Sequence, residues 1–155
     1  MNQHEEAATL AKGIARLYEE AGLLESGIFT TEAQWRELLE HPHQGRVGLV
    51  SFYKLRASAP DTDRSKSGVS ELAGKEYFDL VNPLCEQYGV KDAYYGVAMC
   101  NWIGTQNIKW DFVSISELPS VQALVSLMSH PDFIRICSIR VKTLERHQSV
   151  VVQLL

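Results

Sequence analysis

An arginine near the end of the chain has the spacing of a residue that faces the protein interior. Arg140 follows Phe133 by seven positions and precedes Leu144 by four, so a helix would place the three on one face. A guanidinium directed inward needs a partner, because an unpaired buried charge is strongly destabilising. Arg140 is therefore a candidate anchor for a ligand carboxylate or enolate. The alternatives are a structural ion pair with Asp111 or Glu145, and a buried stem whose charged end reaches solvent.

One carboxylate has the position of a general base. Asp111 follows Trp110 at the start of a predicted strand and shares a strand face with Val113 and Ile115. A carboxylate in apolar surroundings can take a proton from a substrate. The alternatives are that Asp111 caps a hairpin or pairs with Arg140, since aspartate is common beside turns.

Five aromatic residues have the spacing to line a cleft for an aromatic or polyketide-like ligand. Tyr77 opens the inner stripe of a predicted helix, so its phenol is a candidate acid or hydrogen-bond donor. The others are Tyr53, Tyr94, Tyr95 and Trp102. The alternative is that these rings form the core or a dimer interface.

Two histidines lie within the predicted folded part, and neither has an orienting carboxylate nearby in the sequence. His147 opens the last predicted strand near the expected cleft mouth, so it is a candidate base. His130 precedes a predicted helix and is expected to face water. The His41-Pro42-His43 string lacks a third ligand, and the sequence has no Gly-rich phosphate loop. We therefore expect no metal and no organic cofactor.

The order of the predicted elements favours an α+β fold. A unit of strand, amphipathic helix and strand occurs twice, which gives βαββαβ. The predicted bounds are strand Val47–Arg56, helix Ser70–Gly89, strands Ala93–Ile103 and Lys109–Glu117, helix pair Pro119–Arg146 and strand Gln148–Leu155. This is the ferredoxin-like plan, a four-stranded antiparallel sheet with helices on one face. The other sheet face needs a cover, and a second copy of the chain is the expected one.

The first 44 residues are predicted to form a helical extension of a domain that spans residues 45–155. Apolar residues recur at steps of three and four through residues 5–23, and Thr31 with Gln34 forms a capping-box pair for a second helix. So short a segment cannot fold alone, so it should pack on the main domain or on the partner. The polar segment Ala57–Val69 is predicted to be an exposed loop and is a candidate lid.

Composition narrows the class of protein. The chain has 155 residues, of which 45% are apolar and 22% charged, as in ordinary globular proteins, and its net charge is −4. Without a basic stripe, nucleic acid is not an expected partner. The sequence also has no membrane-length apolar run, and residues 1–6 lack the basic start of a signal peptide, so we expect neither a membrane span nor a signal peptide. Three widely spaced cysteines indicate reduced thiols, so we expect a cytoplasmic protein.

Four local strings, in order, resemble an uncharacterised bacterial family named domain of unknown function 1330. Each string is short, and the similarity depends on their order and spacing over residues 45–155. The strings are Gly45-Arg46-Val47 through Lys54-Leu55-Arg56, Tyr77 through Pro83 with Gly89, Trp110-Asp111 through Pro119-Ser120, and Leu127-Met128 followed by Pro131, Phe133, Arg140 and Leu144-Glu145.

The resemblance implies a dimeric α/β barrel, in which two ferredoxin-like sheets pack face to face. A cleft between sheet and helices is implied in each subunit, and the superfamily includes cofactor-independent monooxygenases, isomerases, cyclases and dehalogenases. Ser51 stands where relatives often carry Asn, and Ile139 stands where a His often precedes the helix Arg. Both differences remove polar groups from the implied cleft. The candidate ligand-binding residues of the implied cleft are Arg140, Ser51, Tyr53 and Trp110.

Two functions follow as expectations. The first is a cofactor-independent homodimeric enzyme that acts on a small carbonyl or phenolic compound. In it Arg140 anchors the anionic part, Asp111 or His147 moves a proton, and Tyr77 orients the substrate. The second is a non-catalytic ligand-binding or structural dimer module that uses the same cleft.

Overall fold

A four-stranded antiparallel sheet organises the chain. The computed structural model describes residues 2–57 and 74–155, without the side chains of residues 74–78. The elements in chain order are α1 (Gln3–Glu20), a 3₁₀ turn (Leu24–Ser26), α2 (Glu32–Glu40), β1 (Val47–Leu55), α3 (Gly74–Gln87), β2 (Lys91–Val97), β3 (Phe112–Leu118), α4 (Val121–Met128), α5 (Pro131–Thr143) and β4 (Leu144–Gln153). The strands lie in the order β2-β3-β1-β4, and every neighbouring pair is antiparallel. This arrangement confirms the predicted ferredoxin-like fold.

Strand β1 is central and sends alternate side chains to two different surfaces. Val47, Ser51 and Leu55 are almost fully buried, and they define the helical face of the sheet. Alternate residues of the strand, such as Val50 and Phe52, point to the opposite surface, which we call the open face, and these two are only partly buried. The register places Ser51 between Ser114 and Ser149 on the helical face and Val50 between Ile115 and Val150 on the open face.

The N-terminal helices pack on the helical side of the sheet. Ala11, Ile14 and Tyr18 of α1 belong to the main buried cluster, and so does Trp35 of α2. The remaining buried members of that cluster are Leu23, Val47, Val81, Leu84, Leu118, Val121, Leu124, Val125, Leu127, Phe133, Ile136 and Cys137. The Tyr18 hydroxyl also donates to the Met128 carbonyl oxygen across 2.7 Å. The extension therefore shares its core with the main domain.

Side chains set the helix ends close to the predicted positions. The capping box at α2 is present, with the Thr31 hydroxyl accepting from the Gln34 N–H and the Gln34 side chain accepting from the Thr31 N–H. At α5 the cap is the histidine that was expected to precede the helix. His130 is the N-cap, and its Nδ1 accepts from the Asp132 N–H at 3.2 Å, while Ser129 ends α4.

The last strand begins earlier than predicted. The expected helix through Arg146 ends at Thr143, and β4 starts directly at Leu144. In extended conformation Leu144 is buried in a second small cluster with Ile28, Leu55 and Phe112. This packing overrides the helical spacing of Arg140 and Leu144.

The second strand is shorter and more exposed than predicted. It ends at Val97 rather than Ile103, because its partner β3 begins only at Phe112. All but one of its residues are exposed in the single chain. The connection between β2 and β3 is accordingly longer than the predicted strand bounds indicated.

Two sequence expectations lie outside the described residues. The first is the candidate lid Ala57–Val69, of which only Ala57 is described. The second is Tyr77, whose side chain is not described. Within the part of the chain that is described, no helix is both long and apolar enough to cross a membrane.

The contact between Tyr18 and Met128 allows a test of how firmly the extension is held. We expect Tyr18→Phe to lower the free energy of unfolding by about 1 kcal/mol, because the Met128 carbonyl loses its donor. Urea denaturation followed by circular dichroism measures the change. Tyr88→Phe is the matched control, since its ring packs on the same core while its hydroxyl makes no hydrogen bond within the described residues. Equal, negligible effects of both changes would contradict this account.

Candidate functional site

A cleft lies between the N-terminal helices and the β1–β4 half of the helical face. Its volume is about 1130 Å³, slightly above the usual range for small-molecule pockets. The floor includes Leu49, Ser51 and Tyr53 of β1 with His147, Ser149 and Val151 of β4, and the walls include Tyr18, Ile28, Phe29, Trp35, Leu124, Met128 and Arg140. The position agrees with the predicted cleft between sheet and helices, and it adds the N-terminal segment as one wall.

Three polar side chains form a hydrogen-bonded chain on the cleft floor. Ser51 Oγ lies 2.7 Å from Ser149 Oγ, and Ser149 Oγ lies 2.9 Å from His147 Nε2. The contact follows from the sheet, because Ser51 and Ser149 are register partners and His147 precedes Ser149 by two positions on one strand face. Ser51 is fully buried, whereas Ser149 is exposed in the cleft. Ser149 therefore connects a buried hydroxyl and an imidazole to the cleft.

The second partner of His147 indicates which ring nitrogen carries the proton. The backbone of Ile28 hydrogen-bonds the ring and by itself raises the His147 pKa, as a carbonyl acceptor does. Since Nε2 contacts Ser149, Nδ1 is the nitrogen left to donate to Ile28. This assignment leaves Nε2 unprotonated, so it accepts the Ser149 hydroxyl proton in a hydrogen bond.

His147 is held in its neutral form. Burial lowers its pKa from the ordinary 6.5 to about 3, and the positive charge of Arg140 contributes to the lowering. The ring also stacks on Tyr53, with centroids 4.7 Å apart and planes 14° from parallel. The histidine is thus a fixed hydrogen-bond acceptor across the neutral pH range.

Arg140 lies where helix α5, helix α3 and strand β4 meet. Its charge lowers the pKa of His147, and it also opposes the rise that burial causes in the pKa of Cys137 and Cys85. The guanidinium carbon is 5.5 Å from the centroid of Phe133. Arg140 lines the cleft together with His147, and its role as a ligand anchor stays a prediction.

Asp111 lies away from the cleft. Its Oδ2 accepts from the Leu55 N–H at 2.8 Å and is 3.7 Å from Lys54 Nζ. Its own N–H donates to the Tyr53 carbonyl oxygen. The carboxylate therefore fastens the ends of β1 and β3, and its role as a general base stays a prediction.

The remaining candidates divide between the two faces. Tyr53 lines the cleft, and its hydroxyl is 3.1 Å from Ser114 Oγ. Trp110 instead packs against Phe52 of the open face, with ring centroids 5.7 Å apart. It is not among the residues that line the cleft, and its role in ligand binding stays a prediction. Tyr77 stays a prediction, because its side chain is outside the described residues.

Sequence reasoning missed Ser149, Ile28 and Trp35. The alternation His147-x-Ser149-x-Val151 is typical of one face of a strand. It would have indicated Ser149 if the predicted strand had begun at His147 instead of Gln148. Ile28 acts through its backbone, so no residue type marks it. The Trp35 indole N–H is buried beside the cleft and has no hydrogen-bond partner within the described residues. Among those residues, no group of His, Cys, Asp or Glu has the geometry of a metal site.

The lowered pKa of His147 predicts acid sensitivity. Between pH 6.5 and about 3 the unfolded chain binds a proton that the folded chain excludes, so the free energy of unfolding falls as the pH falls. The contribution is at most about 1.4 kcal/mol per pH unit. We expect His147→Gln to flatten the pH dependence in this window, as measured by urea denaturation at several pH values.

The exposed His4 supplies the control for this comparison. His4→Gln should leave the slope with pH close to that of the parent chain. If His147→Gln kept the parent slope as well, a neutral buried imidazole would be the wrong description of this residue.

Comparison with known proteins supports the fold without identifying an activity. The sequence matches no family model and no curated protein. The chain is similar to the crystal structure of RPA0582, a protein of unknown function from Rhodopseudomonas palustris, with 25% identity and a TM-score of 0.67. That match covers 83% of this chain and 96% of the other.

Two more distant structures have ferredoxin-like folds. One is a dimeric protein of unknown function from Bacteroides fragilis, with 17% identity, a TM-score of 0.48 and coverage of 72% of this chain and 99% of that one. The other is a DABB family protein from Mesorhizobium loti, with 18% identity, a TM-score of 0.47 and the same coverage. The strand order of the sheet is itself that of a ferredoxin-like fold.

Proposed function

We propose that the protein binds a small, largely apolar organic anion that also carries a hydroxyl group. The single observation that carries this proposal is that Arg140 lines the same cleft as the hydrogen-bonded chain of Ser51, Ser149 and His147. The apolar walls suit an aromatic or similar carbon skeleton. Arg140 supplies the charge that a carboxylate or enolate needs.

The hydroxyl preference comes from counting donors and acceptors. A serine hydroxyl has one donor and two acceptor positions. Ser149 uses its proton on His147 Nε2 and one lone pair on the Ser51 hydroxyl, which leaves one lone pair in the cleft. The cleft floor therefore offers an acceptor, and a phenol or enol O–H is the complementary ligand group.

Binding is favoured over catalysis by the state of His147. A general base works best when its pKa is near the working pH, and a pKa of about 3 makes a poor base at neutral pH. The enzyme alternative is favoured by one observation, the 2.9 Å contact between Ser149 and His147. An anion beside Arg140 would offset the cation that lowers the pKa of His147, so proton transfer would depend on the ligand.

We further propose that the open face is covered by a second copy of the chain. Its apolar residues belong to neither buried cluster among the described residues, and they include Val50, Phe52, Val113, Ile115, Val150 and Val152. A continuous apolar sheet surface of this kind is typical of an interface. We also propose that the chain is related to domain of unknown function 1330. A cytoplasmic location is part of the same proposal, because the three cysteines are free thiols.

The role of Arg140 is tested with a matched pair of ligands. 4-Hydroxybenzoate carries a carboxylate and a phenol, whereas its methyl ester lacks the charge. We expect the parent protein to prefer the carboxylate at least about tenfold, as a charge-assisted contact provides, and Arg140→Ala to abolish the preference. Titration calorimetry or ligand-observed NMR measures both affinities.

Arg135→Ala is the control for this test, because Arg135 lies on the same helix with its charge exposed and paired to Asp132. It should keep the preference of the parent. Mass spectrometry of small molecules that co-purify with the protein, repeated on Arg140→Ala, extends the test to native ligands. An unchanged ligand profile together with an unchanged preference would exclude Arg140 as the anchor.

The dimer is tested by placing a charge on the open face. Val150 is 46% exposed in the single chain, so Val150→Asp should cost the monomer little. In a dimer the carboxylate would be buried, and we expect the dissociation constant to rise at least about a hundredfold. Sedimentation velocity over a dilution series measures it.

Gln153→Asp is the matched control, because Gln153 is exposed on the same strand but points to the helical face. It should leave the association unchanged. A parent chain that sediments as a monomer at all concentrations would refute the dimer and leave the ligand proposal standing.

A further inference from the structure

The connection between β2 and β3, residues 98–110, carries the most exposed large apolar side chains of the described chain other than the C-terminal Leu155. Met99, Trp102 and Ile103 are exposed by 97%, 87% and 86%. Apolar residues clustered in this way on a surface mark an interaction site more often than a solvated one. We call this segment the 98–110 loop.

Internal hydrogen bonds give the loop a defined shape. The Asn101 side-chain amide donates to the carbonyl oxygens of Thr105 at 3.1 Å and Ile108 at 2.6 Å. The Gln106 side-chain amide donates to the Asn101 carbonyl oxygen at 3.0 Å. At the base, the Ala98 N–H donates to the Asp111 carbonyl oxygen. The loop thus presents Trp102 and Ile103 outward, while the amides of Asn101 and Gln106 bond to the loop's own carbonyl oxygens.

The loop is continuous with the open face of the sheet. Trp110 at its end packs against Phe52, which is an open-face residue of β1. Positions 98–108 contain no charged residue, and Lys109 is the loop's one basic side chain. A loop that docked on an anionic membrane would need more basic residues, so the chemistry favours an apolar protein surface.

We propose that the 98–110 loop is an arm that packs against a second copy of this chain. The proposal rests on the dimer proposed above and extends it, since the arm adds contact area beyond the two sheet faces. Trp102 is the anchor of this contact, because a large aromatic ring gains the most from desolvation at an interface. Ile103 supplies the neighbouring apolar contact.

The test compares loop variants by sedimentation under reducing conditions, because Cys100 is exposed. We expect Trp102→Ser and Ile103→Ser each to raise the dimer dissociation constant at least about tenfold. Asn107→Ser, an exposed polar change in the same loop, should leave it unchanged. Acrylamide quenching of Trp102, taken as the difference between the parent and Trp102→Phe, should fall when the dimer forms.

The outcomes separate the arm from the dimer. If Val150→Asp dissociates the dimer while Trp102→Ser and Ile103→Ser do not, the arm is refuted and the dimer stands. A parent chain that is always monomeric refutes both. Binding of the monomer to phosphatidylglycerol vesicles that Trp102→Ser abolishes would make the loop a membrane contact instead, and would also overturn the proposal.

Discussion

The alternation of side chains along β1 determines what each surface of this protein can do. One set of residues faces the helices, where Ser51 is buried and Tyr53 stacks on His147. The other set, with Val50 and Phe52, faces away from every described helix cluster. A shift of register by one residue would exchange the two sets, so the pairing with β3 and β4 fixes both the cleft and the open face.

The N-terminal helices determine which face of the sheet the described residues leave uncovered. They complete the core on the helical side and form one wall of the cleft, and the bond from Tyr18 to Met128 fastens them there. Because they occupy that side, they are not the cover for the apolar open face. The cleft floor and the centre of the proposed dimer contact therefore lie on opposite sides of the sheet, while Val150 of the edge strand β4 borders both.

The sequence was sufficient for the fold because strong local signals agreed with the packing. Strand β1, the capping box at Thr31 and the helix break before Pro131 are all set by nearby residues. The sequence-based prediction failed where contacts between distant residues determine the structure. At Leu144 the spacing is helical, but burial against Phe112 favours the start of a strand. The site was only partly predictable for the same reason. Arg140 and His147 are marked by their types, whereas Ser149 matters only because β4 pairs with β1 in one register.

The central claim is that alternate residues of β1 face two different surfaces, the cleft and the open face. Its most direct test compares the neighbours Phe52 and Tyr53. Hydroxyl-radical footprinting read by mass spectrometry reports the exposure of Phe52 and Tyr53 separately. We expect protection of Phe52 to increase with protein concentration, since a second copy covers the open face, while Tyr53 responds to 4-hydroxybenzoate and not to concentration. Phe52 reactivity that stays constant from dilute to concentrated protein would contradict the account.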